Sequence, residues 1–208
     1  MQLTTTQFGA RLPEWVADEL AGVAAALPDA EDRMRLAHRL ARRNHREGTG
    51  GPFAAVVSNA ATGEILAAGV NLVLASGLST MHAEVVALSL AQAGAGTWDL
   101  GGAGRPPAEL AVNWRPCAMC YGAVLWSGIT RLVIAGEGDE VEHLTGFDEG
   151  PMRPDWKEQL AARGVEVRTD VLRDEALATF REYGQRDDVI VYNGGGRGRS
   201  PAHVLQIQ

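Results

Sequence analysis

The chain has 208 residues, a formal net charge of -7, a sequence pI of about 5.2 and a mean hydropathy of -0.09. A chain of this length can bury a substantial core as one domain, and it contains no apolar run near the roughly 18–20 residues that cross a membrane. The acidic balance disfavours a protein that grips a polynucleotide, since such proteins usually present a basic face. It favours a small, neutral substrate. No basic segment followed by an apolar run opens the sequence, so we expect no secretory signal.

Hydrophobic periodicity in the first part of the chain predicts two helices followed by two strands. A helix is expected over residues 14–27, where apolar residues recur at helical spacing after a proline. A second helix is expected over residues 29–47, with Asp29 as its cap. After a glycine-rich turn, short apolar runs predict strands at residues 53–57 and 64–70, joined by a hairpin turn.

The rest of the chain alternates helices and strands. Helices are predicted over residues 81–93, 117–126, 154–163 and 172–183, strands over residues 109–112, 131–135 and 165–168, and loops over residues 94–107 and 136–152. A strand–helix–strand connection of this length implies that the fourth and fifth strands are parallel. We therefore expect a three-layer α/β/α sandwich with a mixed five-stranded sheet.

The chain is expected to divide near residue 186. Residues 1–186 are predicted to be a single domain with an N-terminal helical extension, and residues 187–208 a C-terminal strand or flexible tail. Residues 188–192 are the candidate strand, and the glycine-rich run at residues 194–200 is flexible by composition.

Three polar residues in the first half of the chain have roles that the sequence leaves open. His38 and His45 lie on the second predicted helix, and nothing nearby completes a metal site, so we expect each to be a surface or core histidine. Asn71 ends the second predicted strand, where it is either a turn former or a residue whose amide binds a ligand.

Two short motifs concentrate metal-binding residue types. His82 and Glu84 form an H-x-E motif at the start of an apolar helix, and Cys117 and Cys120 follow Pro116 in a P-C-x-x-C motif. Cysteines three positions apart share one face of a helix, a proline suits a helix start, and a helix N-terminus favours thiolates. Zinc bound by one imidazole and two thiolates keeps a fourth position open for water.

Either motif alone is weak evidence. An isolated H-x-E is almost always chance, and a lone C-x-x-C is redox-active or structural in many proteins. A closed structural zinc site normally has four Cys or His ligands, whereas this chain has only two cysteines and no second Cys/His cluster. The pair therefore indicates an open, catalytic zinc site with Glu84 as the proton carrier. With both cysteines committed to the metal, a reducing cytoplasm is expected.

These residues resemble the cytidine-deaminase-like superfamily over residues 34–183, since H-x-E followed by P-C-x-x-C is its zinc deaminase signature. The parallel fifth strand is similar to the branch holding guanine deaminases and tRNA adenosine deaminases, because deaminases of free cytidine have that strand antiparallel. Three further stretches resemble bacterial guanine deaminases, namely residues 50–53, 69–71 and 144–151.

The resemblance implies a set of substrate contacts around the metal ligands His82, Cys117 and Cys120. Phe53 would stack on the base, Asn71 would bond a ring oxygen or nitrogen, and the backbone N–H of Ala83 would fix its orientation. After Phe147, either Asp148 or Glu149 would form an acidic lid, which suits guanine because its N1–H and amino group are both donors. A homodimer is also implied.

The chain departs from many relatives directly before the Pro-Cys. Asn113, Trp114 and Arg115 stand where relatives carry Thr-x-Glu, so Trp114 and Arg115 at the pocket mouth would influence which ring fits. We expect zinc-dependent hydrolytic deamination of a free base, with guanine to xanthine first. Cytosine, an amino-triazine or a nucleoside remain alternatives, as does tRNA adenosine, which needs a basic groove. A non-catalytic zinc-stabilised module would lack a proton carrier, yet Glu84 is present.

Overall fold

The computed structural model describes residues 7–192, which contain eight helices and five strands. The helices are α1 (Glu14–Ala21), α2 (Ala30–Arg46), α3 (Val73–Ser76), α4 (Ala83–Ala95), α5 (Ala118–Trp126), α6 (Glu140–Thr145), α7 (Trp156–Ala161) and α8 (Arg173–Gly184). The strands are β1 (Ala54–Asn59), β2 (Ile65–Val70), β3 (Ala108–Val112), β4 (Arg131–Ile134) and β5 (Glu166–Arg168). Within residues 7–192, no helix combines the length and the apolar character needed to cross a bilayer.

The five strands form one mixed sheet in the order β2-β1-β3-β4-β5. Strand β1 pairs antiparallel with β2 and β3, whereas β3, β4 and β5 run parallel. Helix α7 lies between β4 and β5 in the chain, and parallel neighbours need such a crossover connection. The mixed five-stranded sheet and its parallel last pair are both confirmed.

Helices cover both faces of the sheet, which confirms the three-layer α/β/α sandwich. Successive residues of a strand point to opposite faces, and β1 shows the consequence. Ala54 and Val56 belong to the core shared with α2 and α8, while Ala55 and Val57 belong to the core shared with α4, α5 and α7. Strand β1 is therefore buried on both sides.

Helix α4 lies very close to strand β2 because of a glycine. A Cβ atom on Gly69 would lie 2.5 Å from the backbone nitrogen of Ala87 and 2.6 Å from the carbonyl oxygen of Ala83. Only a residue without a side chain permits this approach. Gly69 therefore sets the separation between the sheet and the helix that follows His82.

The first helix is shorter than predicted. It ends at Ala21, and the segment after it runs along the edge of the β1–β2 hairpin instead of continuing the helix. The backbone N–H of Leu27 donates to the carbonyl of Gly63 at 2.9 Å, and that of Ile65 donates to the carbonyl of Ala25 at 2.9 Å. These hydrogen bonds to the edge strand compete with helical ones. Two short helices, α3 and α6, lie in segments for which no helix was predicted.

The prediction of a strand at residues 188–192 is wrong, because these residues form no strand. Their backbone is held by side chains instead, since the Tyr183 hydroxyl donates to the carbonyl of Ile190 at 2.9 Å. Arg186 donates to the carbonyl of His45 at 3.0 Å and also pairs with Asp188. The glycine-rich run at residues 194–200 and the rest of residues 193–208 lie outside the described residues.

Candidate metal centre and its pocket

Two helix starts bring the three predicted metal ligands together. His82 is the residue directly before α4, Cys117 is the residue directly before α5, and Cys120 lies in the first turn of α5. The Nδ1 atom of His82 is 3.5 Å from the Sγ atom of Cys117. The donor atoms of all three residues lie within 4.8 Å of one another.

This donor set fits zinc. Nitrogen and sulfur ligands about 2.0 and 2.3 Å from a tetrahedral zinc would be about 3.5 Å apart, which is the separation between His82 and Cys117. Hydrogen bonding from Cys120 lowers the pKa of Cys117 to about 4 and thereby favours its thiolate. The same bond, together with burial, raises the pKa of Cys120. Zinc, which binds thiolates, would displace that remaining proton.

Glu84 lies beside the ligands without joining them. It stands in the first turn of α4, two residues after His82, and is 6% exposed. Burial, together with the nearby Cys117 sulfur, raises its pKa to about 7. A carboxyl group with a pKa near the working pH can both take up and release a proton. Glu84 is thus a buried carboxyl group beside the metal ligands, and its role as proton carrier stays a prediction.

A pocket opens beside the metal ligands. Six of the predicted substrate contacts line it together with His82, Glu84 and Cys117, namely Phe53, Asn71, Trp114, Arg115, Phe147 and Glu149. Ala83 is buried as the first residue of α4, and it is not among the lining residues. Asp148 is exposed and lines a neighbouring cleft, which the metal ligands His82 and Cys117 also line.

Aromatic rings form the walls of the pocket. The rings of Phe53 and Phe147 lie 5.5 Å apart. Phe53 also contacts Phe180, and Phe147 also contacts Tyr192. Trp114 was expected at the pocket mouth, but it is 1% exposed. Its ring packs edge-on against Phe180 at 5.3 Å, and its indole N–H donates to the carbonyl of Gly138 at 3.3 Å. Trp114 is therefore a fixed inner wall.

The side-chain oxygen of Asn71 stabilises a turn, and its side-chain nitrogen remains available to a ligand. It is 1% exposed, and its Oδ1 accepts a hydrogen bond from the backbone of Val73 at 3.2 Å. Its side-chain nitrogen makes no hydrogen bond within the described chain, although the residue lines the pocket. The preceding turn packs tightly here, since a Cβ on Gly50 would lie 2.2 Å from the Asn71 carbonyl. Both roles foreseen for Asn71 are compatible with this geometry.

Glu149, rather than Asp148, is the acidic residue in the pocket. Glu149 is 7% exposed, and burial, reinforced by the Cys117 sulfur and Glu84, raises its pKa to about 8. The loop is fixed because the Ala118 N–H donates to the Glu149 carbonyl at 3.0 Å. The Glu149 N–H donates to the Glu142 carboxylate at 3.1 Å. Two buried carboxyl groups therefore share one small cavity with the metal ligands.

Tyr192 belongs to the pocket and was missed by the sequence analysis. Its ring packs on Phe147 at 4.8 Å, and its hydroxyl is buried without a hydrogen-bond partner within residues 7–192. A Cβ on Gly51 would lie 2.5 Å from that hydroxyl, so the glycine makes room for it. The one available signal was an aromatic residue ending the apolar run at residues 189–192.

His38 and His45 lie outside the site, as expected. They are 5% and 3% exposed, and neither belongs to the metal-binding group described above. Burial lowers the pKa of each to about 4, so both are neutral at physiological pH. Of the two expected positions, surface or core, both histidines occupy the core, and neither belongs to the metal-binding group.

Residues 28–136 match the protein family described as the cytidine and deoxycytidylate deaminase zinc-binding region. The match covers just over half of the 208 residues and includes His82, Glu84, Cys117 and Cys120. The chain belongs to this family. With the donor set and Glu84 in place, it is a zinc-dependent deaminase rather than a non-catalytic zinc module.

Similar proteins place the chain on the guanine deaminase branch. It is 34% identical to the guanine deaminase of Bacillus subtilis over 119 residues, which are 57% of this chain and 71% of that protein. The structure of the guanine deaminase from Nitrosomonas europaea matches with a TM-score of 0.80 and 42% identity, over 88% of this chain and 98% of that one. NE0047 in complex with 2,6-diaminopurine matches with a TM-score of 0.81 and 43% identity, over 90% and 96% of the two chains.

Proposed function

We propose that this chain is a guanine deaminase, which converts guanine and water to xanthine and ammonia. The observation that carries the proposal is the meeting of two buried carboxyl groups, Glu84 and Glu149, with a zinc-binding triad in one aromatic-walled pocket. The flat ring of the base is proposed to bind between Phe53 and Phe147 on one side of the pocket and the metal ligands on the other. The similarity to guanine deaminases of two bacteria supports the same substrate.

Guanine suits the polarity of this pocket. Its N1–H and its amino group are adjacent donors, and Glu149 in its ionised form offers two carboxylate oxygens that accept hydrogen bonds. The free amide N–H2 of Asn71 can donate to a ring acceptor. NE0047, the structure described above with 2,6-diaminopurine, holds a purine that also carries a 2-amino group. These features support a 2-aminopurine ring as the substrate.

The proton transfers can be assigned to the two carboxyl groups. Zinc held by His82, Cys117 and Cys120 would act as a Lewis acid and would bring the pKa of a water molecule close to neutrality. Glu84 accepts a proton from the water and delivers protons to the ring nitrogen and the departing amine. A C–O bond to the water oxygen forms and the C–N bond to the amino group breaks. One water proton ends on ammonia and the other on the ring. Glu149 keeps the base in a fixed orientation during these steps.

A screen for ammonia release tests the proposal. Purified enzyme is offered guanine, cytosine, adenine, amino-triazines and their nucleosides, with bound zinc quantified in the same sample. We expect guanine to have the highest kcat/KM. A higher value for cytosine or an amino-triazine would overturn guanine and keep the zinc chemistry. Deamination of tRNA adenosine above that of free bases would instead support the editing alternative, against which the net charge of -7 argues.

We further propose that two copies associate through one face of α4 and α5. The single charged residue of these two helices is Glu84, which is buried, so their exposed surface carries no charge. That surface exposes Leu90, Met119 and Trp126, and Trp98 follows the end of α4 with 83% of its surface exposed. Exposed apolar side chains on helices without exposed charges can face their own copy without like-charge repulsion between those helices. Such an association would give the homodimer that the family resemblance implies.

A cytoplasmic location is proposed on chemical grounds. Both cysteines of the chain are free thiols that the zinc site requires in reduced form. A reducing compartment keeps such thiols from oxidation. Fractionation of the native host, with the protein detected by antibody, would test this location.

A further inference from the structure

Arg115 is the cationic group of the pocket. Among the described residues that line the cavity, it is the only lysine or arginine. Its Nε atom is buried and has no hydrogen-bond partner within residues 7–192. Its positive charge also acts on Glu149, whose pKa it lowers against the larger effect of burial. The guanidinium therefore lies close to the acidic group proposed to hold the base.

The backbone that carries Arg115 is tightly fixed. The Asn113 side chain accepts from the N–H of Ala54 at 3.0 Å and donates to the carbonyl of Pro52 at 2.9 Å. The N–H of Arg115 itself donates to the carbonyl of Gly136 at 2.9 Å. Trp114, between them, is locked by its contacts with Phe180 and Gly138. The backbone of this wall residue of the cavity is thus held by a rigid segment.

A buried N–H donor without an acceptor is unfavourable, and native proteins seldom leave one. Of the seven orphaned polar atoms in the described chain, two belong to pocket residues, Arg115 Nε and Tyr192 Oη. A ligand that places an acceptor atom at Arg115 would complete its hydrogen bonding. Since Glu149 accepts while Arg115 donates, the two side chains together suit a ring that offers donors on one edge and an acceptor on another.

We infer that Arg115 is a specificity-determining residue that donates a hydrogen bond to an acceptor atom of the bound base. This inference rests on the proposed function, because it identifies how the same pocket selects its ring. Guanine offers O6, N3 and N7 as acceptors, and arginine side chains bind such purine acceptors in other settings. A ring without an acceptor at that position leaves the Arg115 donor buried and unpaired and is rejected.

Deletion of single acceptor atoms tests the inference. Binding of guanine, 6-thioguanine, 3-deazaguanine and 7-deazaguanine is measured by titration calorimetry in an E84Q background, where turnover does not interfere. Each analogue weakens or removes one acceptor. With Arg115 present, we expect one analogue to bind about 10- to 100-fold more weakly than guanine, the range for hydrogen bonds to charged groups. In Arg115→Met, which keeps most of the apolar stem, that difference should disappear.

Two matched variants separate recognition from structure. Arg168→Gln removes an exposed arginine of β5 and should leave all four affinities unchanged. Arg115→Lys keeps a charged donor and should restore part of the atom-specific difference. An equal loss of affinity for guanine and every analogue in Arg115→Met would overturn the inference, since it would indicate a general change of the pocket. Unchanged atom-specific differences would overturn it too.

The proposed function can fail separately. If the ammonia screen selects another base, the guanine assignment is wrong, and the same analysis is made with that base and its acceptor-deleted analogues. A difference that depends on Arg115 would then still support its role. If guanine is the substrate and no difference depends on Arg115, only the inference about Arg115 is wrong.

Discussion

The Sγ atom of Cys117 lies 3.5 Å from the Nδ1 atom of His82, although the two residues are 35 positions apart in the chain. Each residue directly precedes a helix, so the positive ends of two helix dipoles meet at the same point. This arrangement favours thiolates and positions an open zinc site next to Glu84.

Loss of one ligand should remove the metal without unfolding the sheet. His82→Gln is expected to retain far less zinc than the native chain after dialysis, because a tetrahedral site then lacks its only imidazole. His143→Gln, which replaces an exposed histidine on α6, is the matched control and should keep one zinc per chain. Inductively coupled plasma mass spectrometry measures the zinc content of both variants. Full zinc occupancy in His82→Gln would contradict the assignment of the ligand.

Zinc should also stabilise the fold. A ligand that binds only the native state adds about 4 kcal/mol at a thousandfold excess over its Kd. Treatment with a chelator is therefore expected to lower the free energy of unfolding measured in urea by several kcal/mol, with recovery on adding zinc. An unfolding midpoint that does not change on chelation would show that the triad binds no metal in solution.

Replacement of the proton carrier should separate binding from chemistry. Glu84→Gln keeps the size of the side chain and removes its ability to transfer protons, so kcat should fall by about 10²- to 10⁴-fold. Zinc content and the affinity for 8-azaguanine should remain near those of the native enzyme. A variant with full activity would exclude Glu84 from the mechanism.

The positions of the Tyr192 and Phe147 rings in the pocket should depend on Gly51. A Cβ at this position would lie 2.5 Å from the Tyr192 hydroxyl and 3.1 Å from Phe147. Gly51→Ala is therefore expected to displace both rings and to raise KM more than it lowers kcat. Gly94→Ala is the matched control, because a Cβ there meets nothing within 4 Å. Equal kinetic constants for both variants would show that the ring of Tyr192 does not contribute to substrate binding.

Acid should destabilise the protein through His38. Burial lowers the pKa of His38 to about 4 in the fold, whereas an unfolded histidine has a pKa of about 6.5. The unfolded state therefore binds more protons between these values, so stability is complete above about pH 6.5 and falls as the pH drops towards 4. His38→Leu should reduce the loss between pH 7.5 and pH 5 by about 2 kcal/mol. Urea unfolding at both pH values measures this loss. An equal loss in the native chain and in His38→Leu would show that the imidazole is not responsible.

A charge on the uncharged helix face should prevent association. Trp126 is 80% exposed on α5, and Trp126→Glu would place a carboxylate opposite its own copy in a symmetric dimer. We expect the variant to be a monomer by light scattering, while the native chain is a dimer. Phe8→Glu changes a residue that is 87% exposed and distant in sequence, and it should remain a dimer. A native chain that is monomeric at micromolar concentration would exclude the proposed interface.

The sequence predicted the metal site better than it predicted the pocket. The spacing of Cys117 and Cys120, the H-x-E motif and the start of each helix are local properties, so each half of the site could be identified from the sequence. The choice between Asp148 and Glu149 depends on how Glu142 and Ala118 hold the loop, which no local pattern reveals. Trp114 is an inner wall because Phe180, far along the chain, packs on it. Tyr192 reaches the pocket through contacts with Phe147 and Gly51, which also lie far from it in the sequence.

The close approach at Gly69 has a consequence for the metal. Helix α4 rests directly on the backbone of β2, and His82 is the residue immediately before that helix. A methyl group at position 69 would lift the imidazole away from the two sulfur atoms, which are anchored by a different helix. The distances between the imidazole and the two sulfur atoms thus depend on Gly69, a residue that has no side chain and supplies no metal ligand.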